Sequence, residues 1–411
     1  MIWKLKRRAF LAAAAAVAAV PLAPAIAEAK PARIGLLTVK TGPLAQGGIQ
    51  MEQGLAAFLK DKGDVLAGRK VELISADTGG NPAGAKTKAQ ELVERDNVDF
   101  IVGPLAAFEL LAITDYIAQA KVPLLSLAAA DDMTQRKPNP WFIRASATSS
   151  QCNHPLGDYA AKELKLKRVM TICEDFAFGY EQAGGFQRVF EDEGGKVVKR
   201  LWVPIVTPDY TPYLAQISDV DAVWQGFAGS NPVKFMRQYA DYGLKAKYPL
   251  LGGWTALDDA LLKSLGDEAV GAVSAAFYSS EFDSPSNKRF LATMLRDTQT
   301  LPGGYAAGCY INGMCIEAAL TATGGSTEDK GKTMAALRAV KLRDSPRGAF
   351  HFDHLGNVVG NVFIRRVERK DGKLVNSIIK TYPDVSQFWT YDEAKYLAAP
   401  VYTRDAAPAK L

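Results

Sequence analysis

The chain has 411 residues, 48% of them hydrophobic and 23% charged, and a formal net charge of +5. Four of its basic residues, Lys4, Lys6, Arg7 and Arg8, fall in the first 27 positions with no acid among them, so the remaining 384 residues carry only about +1. That balance argues against nucleic acid as a partner, which needs clustered Lys and Arg.

"MIWKLKRRAFLAAAAAVAAVPLAPAIA" (1–27) has a basic start, an apolar run from Ala9 to Val20 and the small-residue pattern Ala25-Ile26-Ala27. This is the pattern of a cleaved export signal. Arg7-Arg8-Ala9-Phe10-Leu11 also has the look of a twin-arginine motif, and a plain Sec signal stays open beside it. The apolar run is short of the ~20 residues that span a bilayer, so a membrane anchor is the weaker reading. The remaining length exceeds the ~250–300 residues at which single cores stop growing, so two domains are expected. Four cysteines, Cys152, Cys173, Cys309 and Cys315, are too few for a disulfide scaffold; a link from Cys152 to Cys309 or Cys315 is left open.

From residue 33 onward short apolar runs alternate with amphipathic stretches. "RIGLLT" (33–38), "VELISA" (71–76), "VDFIVG" (98–103) and "VPLLSL" (122–127) read as buried parallel strands. Asn81-Pro82 is a helix start, cap followed by proline, and "AFELLAITDYIAQA" is a second helix. A second series of the same kind begins at "RVMTIC" (168–173) and runs through "KVVKRLWV", "DAVWQGF", "YPLLGG" and "AVGAVSAAF", with "ALDDALLKSLG" (256–266) read as a helix. Two long helices are expected at about 285–299 and 304–323. The pattern then changes: "GAFHFDHLGNVVGNVFIRRVERKDGKLVNSIIKTYP" alternates around Asp371-Gly372, the mark of a β-hairpin.

Several segments together carry a family resemblance: "RIGLLTVKTGPLAQGG", "NPAGAKTKAQELVERDNVDFIVGP", "VPLLSLAAADDMTQR", "FGYEQAGGF", "YSSEFDSPSNKRF", "GGYAAGCYINGMCIEAAL" and "FDHLGN". In this order they resemble the periplasmic solute-binding proteins of ABC transporters, in the branched-chain amino-acid-binding group with an aromatic-acid-binding-like subgroup. The resemblance implies an α/β fold of two Rossmann-like lobes joined by a three-crossing hinge. Lobe 1 would be 28–145 and 281–345, lobe 2 would be 146–280 and 346–396, and 397–411 a polar C-terminal tail. It further implies a small-molecule ligand between the lobes, an inner-membrane permease as partner, a periplasmic location, no cofactor, and a monomer as the default.

In amino-acid-binding relatives, hydroxyls and backbone N–H groups in the second and third cleft turns hold the ligand carboxylate, and an acid in the last turn holds the ammonium. This chain has Leu44 in the first turn, Ala106, Ala107 and Phe108 in the second, Ala129 and Ala130 in the third, and Trp254 where the acid is expected. With Phe178, Phe227, Tyr278 and Tyr305 these are the candidate ligand-binding residues. An ammonium buried without a counter-charge costs several kcal/mol, whereas the aromatics favour a flat apolar body. The expected ligand is therefore an aromatic carboxylic acid of benzoate or phenylpropanoid type, its carboxylate met by the N–H groups that open helices. A branched-chain or other amino-acid or amide ligand is the alternative.

No Gly-x-Ser-x-Gly elbow, Walker loop or Gly-x-Gly-x-x-Gly motif follows a strand, so neither an enzyme nor a catalytic residue is expected. His351-Phe-Asp-His354 reads as a strand entering a turn, not as a metal site. A sensory ligand-binding lobe would continue into a membrane or signalling segment, and "VYTRDAAPAKL" is polar.

Overall fold

The computed structural model describes residues 30–411; the export signal read at residues 1–27 lies outside the described residues. The first series of elements is β1 (Ala32–Thr38), α1 (Ala45–Asp61), β2 (Val65–Leu66), β3 (Arg69–Asp77), α2 (Pro82–Gln90), β4 (Phe100–Val102), α3 (Ala107–Ala120), β5 (Leu124–Leu125) and β6 (Phe142–Ile143). Its sheet has the order β2-β3-β1-β4-β5-β6, and every neighbouring pair but β2–β3 is parallel. The side chain of Asn81 caps α2 by accepting from the N–H of Gly84 at 2.9 Å, with Pro82 at the first helical position.

The second series is α4 (Asn153–Lys162), β7 (Arg168–Glu174), α5 (Ala177–Asp192), β8 (Lys196–Val203), α6 (Thr211–Leu214), β9 (Ala222–Gly226), α7 (Asn231–Asp241), β10 (Leu250–Gly252) and β11 (Val273–Ala276). Then come α8 (Pro285–Thr298), α9 (Gly304–Ala322), α10 (Lys330–Arg338), β12 (Lys341–Leu342), β13 (Phe350–Phe352), β14 (Val358–Lys370), β15 (Lys373–Val385) and α11 (Glu393–Ala398). The second sheet runs β12-β13-β14-β11-β10-β9-β7-β8, with β15 paired to β14. From β8 to β11 it is parallel; β14 joins β11 antiparallel and carries the hairpin with it. Asp371 and Gly372 both have positive φ, which suits a two-residue turn between right-twisted strands.

Two lobes result, and the chain order does not separate them. Helices α8 and α9 pack on α1, and α9 also meets β2, so they belong with the first sheet although they follow the second in sequence. The chain passes between the sheets after β6, after β11 and between α10 and β12. Arg144, just past β6, forms a parallel bridge with Asn357 at the start of β14, tying two of these crossings together. The residues after α11 are docked as well: Arg188 donates to the carbonyl of Ala409 at 2.7 Å and Trp202 to that of Arg404 at 3.1 Å.

Two local expectations are corrected. The stretch 256–266, read as a helix throughout, is helical only over Asp259–Ser264, and there as a 3-10 helix. Asp258 caps it through Ala260 N–H at 3.0 Å, while Asp258 and Asp259 are each drawn into further buried contacts that hold the segment short. All four cysteines are buried and unpaired, so no link joins Cys152 to Cys309 or Cys315.

Candidate functional site

Each sheet has one place where the chain order reverses. In the first it is between β1 and β4, in the second between β7 and β9. Loops leaving neighbouring strands there run to opposite faces and leave a crevice at the strand ends. A small cavity lies at these ends. Leu44 follows β1, Leu105, Ala106 and Ala107 follow β4, and Leu127 and Ala129 follow β5. From the second sheet come Phe176 and Phe178 after β7, Ala228 after β9 and Trp254 after β10; Tyr305 of α9 completes the lining.

Seven of the residues expected from sequence thus meet around one cavity: Leu44, Ala106, Ala107, Ala129, Phe178, Trp254 and Tyr305. Their rings form two groups. Trp254, only 3% exposed, lies 4.8 Å from Tyr305 and edge-on to Phe277 at 5.3 Å. Phe176 stacks on Phe178 at 5.9 Å and meets the edge of Phe108 at 5.5 Å. Among the described residues none with a charged side chain lines this cavity.

Four expected residues are placed elsewhere. Phe227 sits in the core of the second lobe, edge-on to Tyr210 at 5.3 Å and 4.9 Å from Phe235. Successive residues of an extended chain point to opposite sides, so its neighbour Ala228 lines the cavity instead. Tyr278 packs edge-on against Phe290 of α8 at 5.9 Å. Ala130 is buried away from the lining, its carbonyl accepting from Arg144. Phe108 supports Phe176 from behind. Leu105, Leu127, Phe176 and Ala228 were passed over, although each lies in a strand-end turn that the sequence delimits. The signal available was position within the turn, which residue type alone does not reveal.

The profile of a family described as periplasmic binding protein matches residues 31–373. The chain belongs to the periplasmic binding protein family. The solute-binding protein of an ABC transporter from Rhodopseudomonas palustris BisB5, solved with 3,4-dihydroxybenzoic acid, is 34% identical to it. That match covers 86% of this chain and 98% of the other, with a TM-score of 0.82. The corresponding protein from Rhodopseudomonas palustris HaA2, solved with p-hydroxybenzoic acid, is 30% identical over 87% of this chain and 98% of its own, again with a TM-score of 0.82. A "Leu/Ile/Val-binding protein homolog 6" from Brucella suis biovar 1 is 29% identical over 89% of this chain and 95% of its own.

Two buried carboxyls lie behind residues that line the cavity of this periplasmic binding protein, without lining it themselves. Trp254 stands where the sequence comparison expects an acid, and Asp258, four residues beyond it, is a buried acid of the same segment, 4% exposed. Its Oδ2 accepts from the N–H of Gly304 at 2.7 Å, and burial with the neighbouring Asp259 pushes its carboxyl up to about 6. Glu174, at the end of β7, accepts from Asn231 Nδ2 at 2.8 Å and from the N–H of Ala228 at 3.3 Å. Burial pushes it up to about 7. The native state therefore keeps this proton where the unfolded chain, at about 4.5, has lost it. The associated stability is full below pH 4.5 and lost as pH rises through 7. Glu174→Gln cannot ionise and keeps the acceptor for Asn231, so it gains on the wild type as pH rises from 5 to 8, by on the order of 2–3 kcal/mol at pH 8. Urea unfolding of both proteins at the two pH values checks this, and an unchanged difference would refute it.

Proposed function

We propose that this protein is exported to the periplasm, captures an aromatic carboxylic acid of benzoate or phenylpropanoid type between its lobes, and presents it to the permease of an ABC transporter. The observation that carries the reading is the cavity at the two switch points. Its walls are aromatic and aliphatic, and no charged side chain of the described residues lines it. A flat ring gains there from the Trp254 and Tyr305 faces. Its carboxylate has donors in the N–H groups that open α3 and in Trp254 Nε1–H, which is buried and has no partner in the protein. The benzoic acids bound by the two Rhodopseudomonas palustris relatives support the same ligand class. Closure of the lobes over the ligand would be the signal that the permease reads. No catalytic role enters this reading.

A second reading, an amino-acid ligand, is favoured by Asp258, a carboxylate that could meet an ammonium, and by the name of the Brucella suis relative. Titration calorimetry against benzoate, hydroxybenzoates, cinnamate, leucine and valine separates the two. Binding of leucine or valine with no response to any aromatic acid would end the aromatic proposal. Trp254→Ala is expected to weaken the aromatic acid by about 1–3 kcal/mol, or about 5- to 150-fold, in protein that circular dichroism shows to be folded, with a lowered melting point from the buried packing it removes. Unchanged affinity would remove Trp254 from the binding surface.

A further inference from the structure

A second, smaller cavity adjoins the first and differs in character. Asp258, Gln46, Gln50 and Thr255 line it, and Tyr305 belongs to both linings. Two glycines keep the spaces close. A Cβ on Gly304 would lie 3.0 Å from the Trp254 ring and 3.4 Å from Asp258 Oδ2, so indole and carboxylate flank the same backbone position. A Cβ on Gly47, which lines the polar space, would lie 2.8 Å from Leu105 Cδ1 and 3.0 Å from Tyr305 Cε2, both walls of the apolar one.

We infer that the space beside Asp258 is a second compartment of the same site, and that it takes a hydrogen-bond-donating hydroxyl on the ring of the bound acid. The inference rests on the aromatic-acid reading above. The charged acceptor capacity left over in the compartment sits on one group. Each oxygen of Asp258 accepts one backbone N–H, from Ala260 and from Gly304, whereas a carboxylate offers about four acceptor positions. Of the other polar groups, Thr255 Oγ1 donates to the Phe227 carbonyl at 2.7 Å and Gln50 Oε1 accepts from Gly303 N–H at 3.0 Å, which leaves the amide N–H groups of Gln46 and Gln50 as further donors among the lining. One phenolic hydroxyl suits this set, since it donates to Asp258 and accepts from an amide N–H. An ammonium brings three donors and a full charge, and it accepts nothing from those amides. A ring without the hydroxyl leaves the buried carboxylate short of a partner, and polar sites discriminate strongly against analogues that lack the matching group.

The test is titration calorimetry with benzoate, 3-hydroxybenzoate, 4-hydroxybenzoate and leucine on the wild type, Asp258→Asn and Gly47→Ala, each first checked by circular dichroism and melting. The wild type is expected to bind the better hydroxybenzoate about 10- to 100-fold more tightly than benzoate. Asp258→Asn keeps an oxygen for capping and is expected to bring that ratio near one. Gly47→Ala leaves Asp258 intact and is expected to lower the ratio by crowding Leu105 and the Tyr305 ring that both linings share. A ratio near one in the wild type overturns the inference and leaves the aromatic reading standing. So does a ratio that survives Asp258→Asn, which makes Asp258 a helix cap and nothing more. Tight binding of leucine that Asp258→Asn abolishes overturns both in favour of an ammonium site, and a wild type that binds none of the acids overturns both outright.

Discussion

Asp259→Ala is expected to cost about 3–5 kcal/mol of folding stability, the range for removing one partner of a buried ion pair. Asp259 Oδ2 lies 2.6 Å from Arg365 Nη1, and neither side chain is more than 1% exposed. The guanidinium also donates to the carbonyls of Tyr278 at 2.9 Å and Leu257 at 3.0 Å, so it stays anchored in the interior when its counter-charge is removed. An unpaired buried cation is the penalty, not the lost hydrogen bond alone. Asp259 Oδ1 further accepts from Ser280 Oγ at 2.6 Å, next to the second crossing between the lobes. Urea unfolding measures the loss, and Arg365→Met placed on top of Asp259→Ala is expected to recover much of it, because the pair is then gone as a unit. A double variant as unstable as the sum of the singles would point instead to the hydrogen bonds of each residue. Ligand affinity should fall with Asp259→Ala as well. Arg365 and Asn376 both hold the carbonyl of Leu257, which fixes the segment between Trp254 and the 3-10 helix.

Much of this architecture is written locally. Continuous apolar runs such as "RIGLLT" belong to strands covered on both faces, and they recur in two series because there are two lobes. Trp254 was legible as a cavity residue because a glycine pair at the end of an apolar strand announces a turn at the carboxyl edge. Phe227 was not, since one residue along an extended segment reverses the face and no composition signal marks which of Phe227 and Ala228 points inward. Asp258 was missed for a related reason. Its stretch has helical periodicity, and an α-helix there would have carried the carboxylate off along its surface. The 3-10 geometry comes from tertiary partners, the Gly304 N–H and Arg365, which lie 46 positions beyond Asp258 and 106 beyond Asp259. Long-range contacts of that kind decide the electrostatics of the cleft and leave no local trace.

Arg144→Leu is expected to be comparably damaging, with a pH dependence that identifies the cause. Arg144 is fully buried and donates to the carbonyls of Ala128 at 3.1 Å and Ala130 at 2.5 Å, to Thr134 Oγ1 at 2.9 Å and to Asn357 Oδ1 at 3.1 Å. Those carbonyls belong to the turn that carries Ala129 into the cavity, while Asn357 opens β14 of the other sheet. Two carboxyls lie close by: Asp131 Oδ1 accepts from Ser150 N–H at 3.2 Å, and Glu181 Oε1 from Asp131 N–H at 3.2 Å. Burial pushes Asp131 up to about 6 and raises Glu181, and the positive charge of Arg144 opposes both shifts. The native state thus holds these protons to higher pH than the unfolded chain, so their contribution is present at low pH and lost as pH rises through about 6. Removing Arg144 takes away the charge that offsets this loss. The deficit of the variant should be about 3–5 kcal/mol at pH 8 and distinctly smaller at pH 5, where the carboxyls are largely neutral in the folded state. Unfolding midpoints of both proteins at the two pH values decide the point. A deficit that does not change with pH would mean that Arg144 acts through its hydrogen bonds to the turn alone, with no electrostatic share in holding the two sheets' loops together.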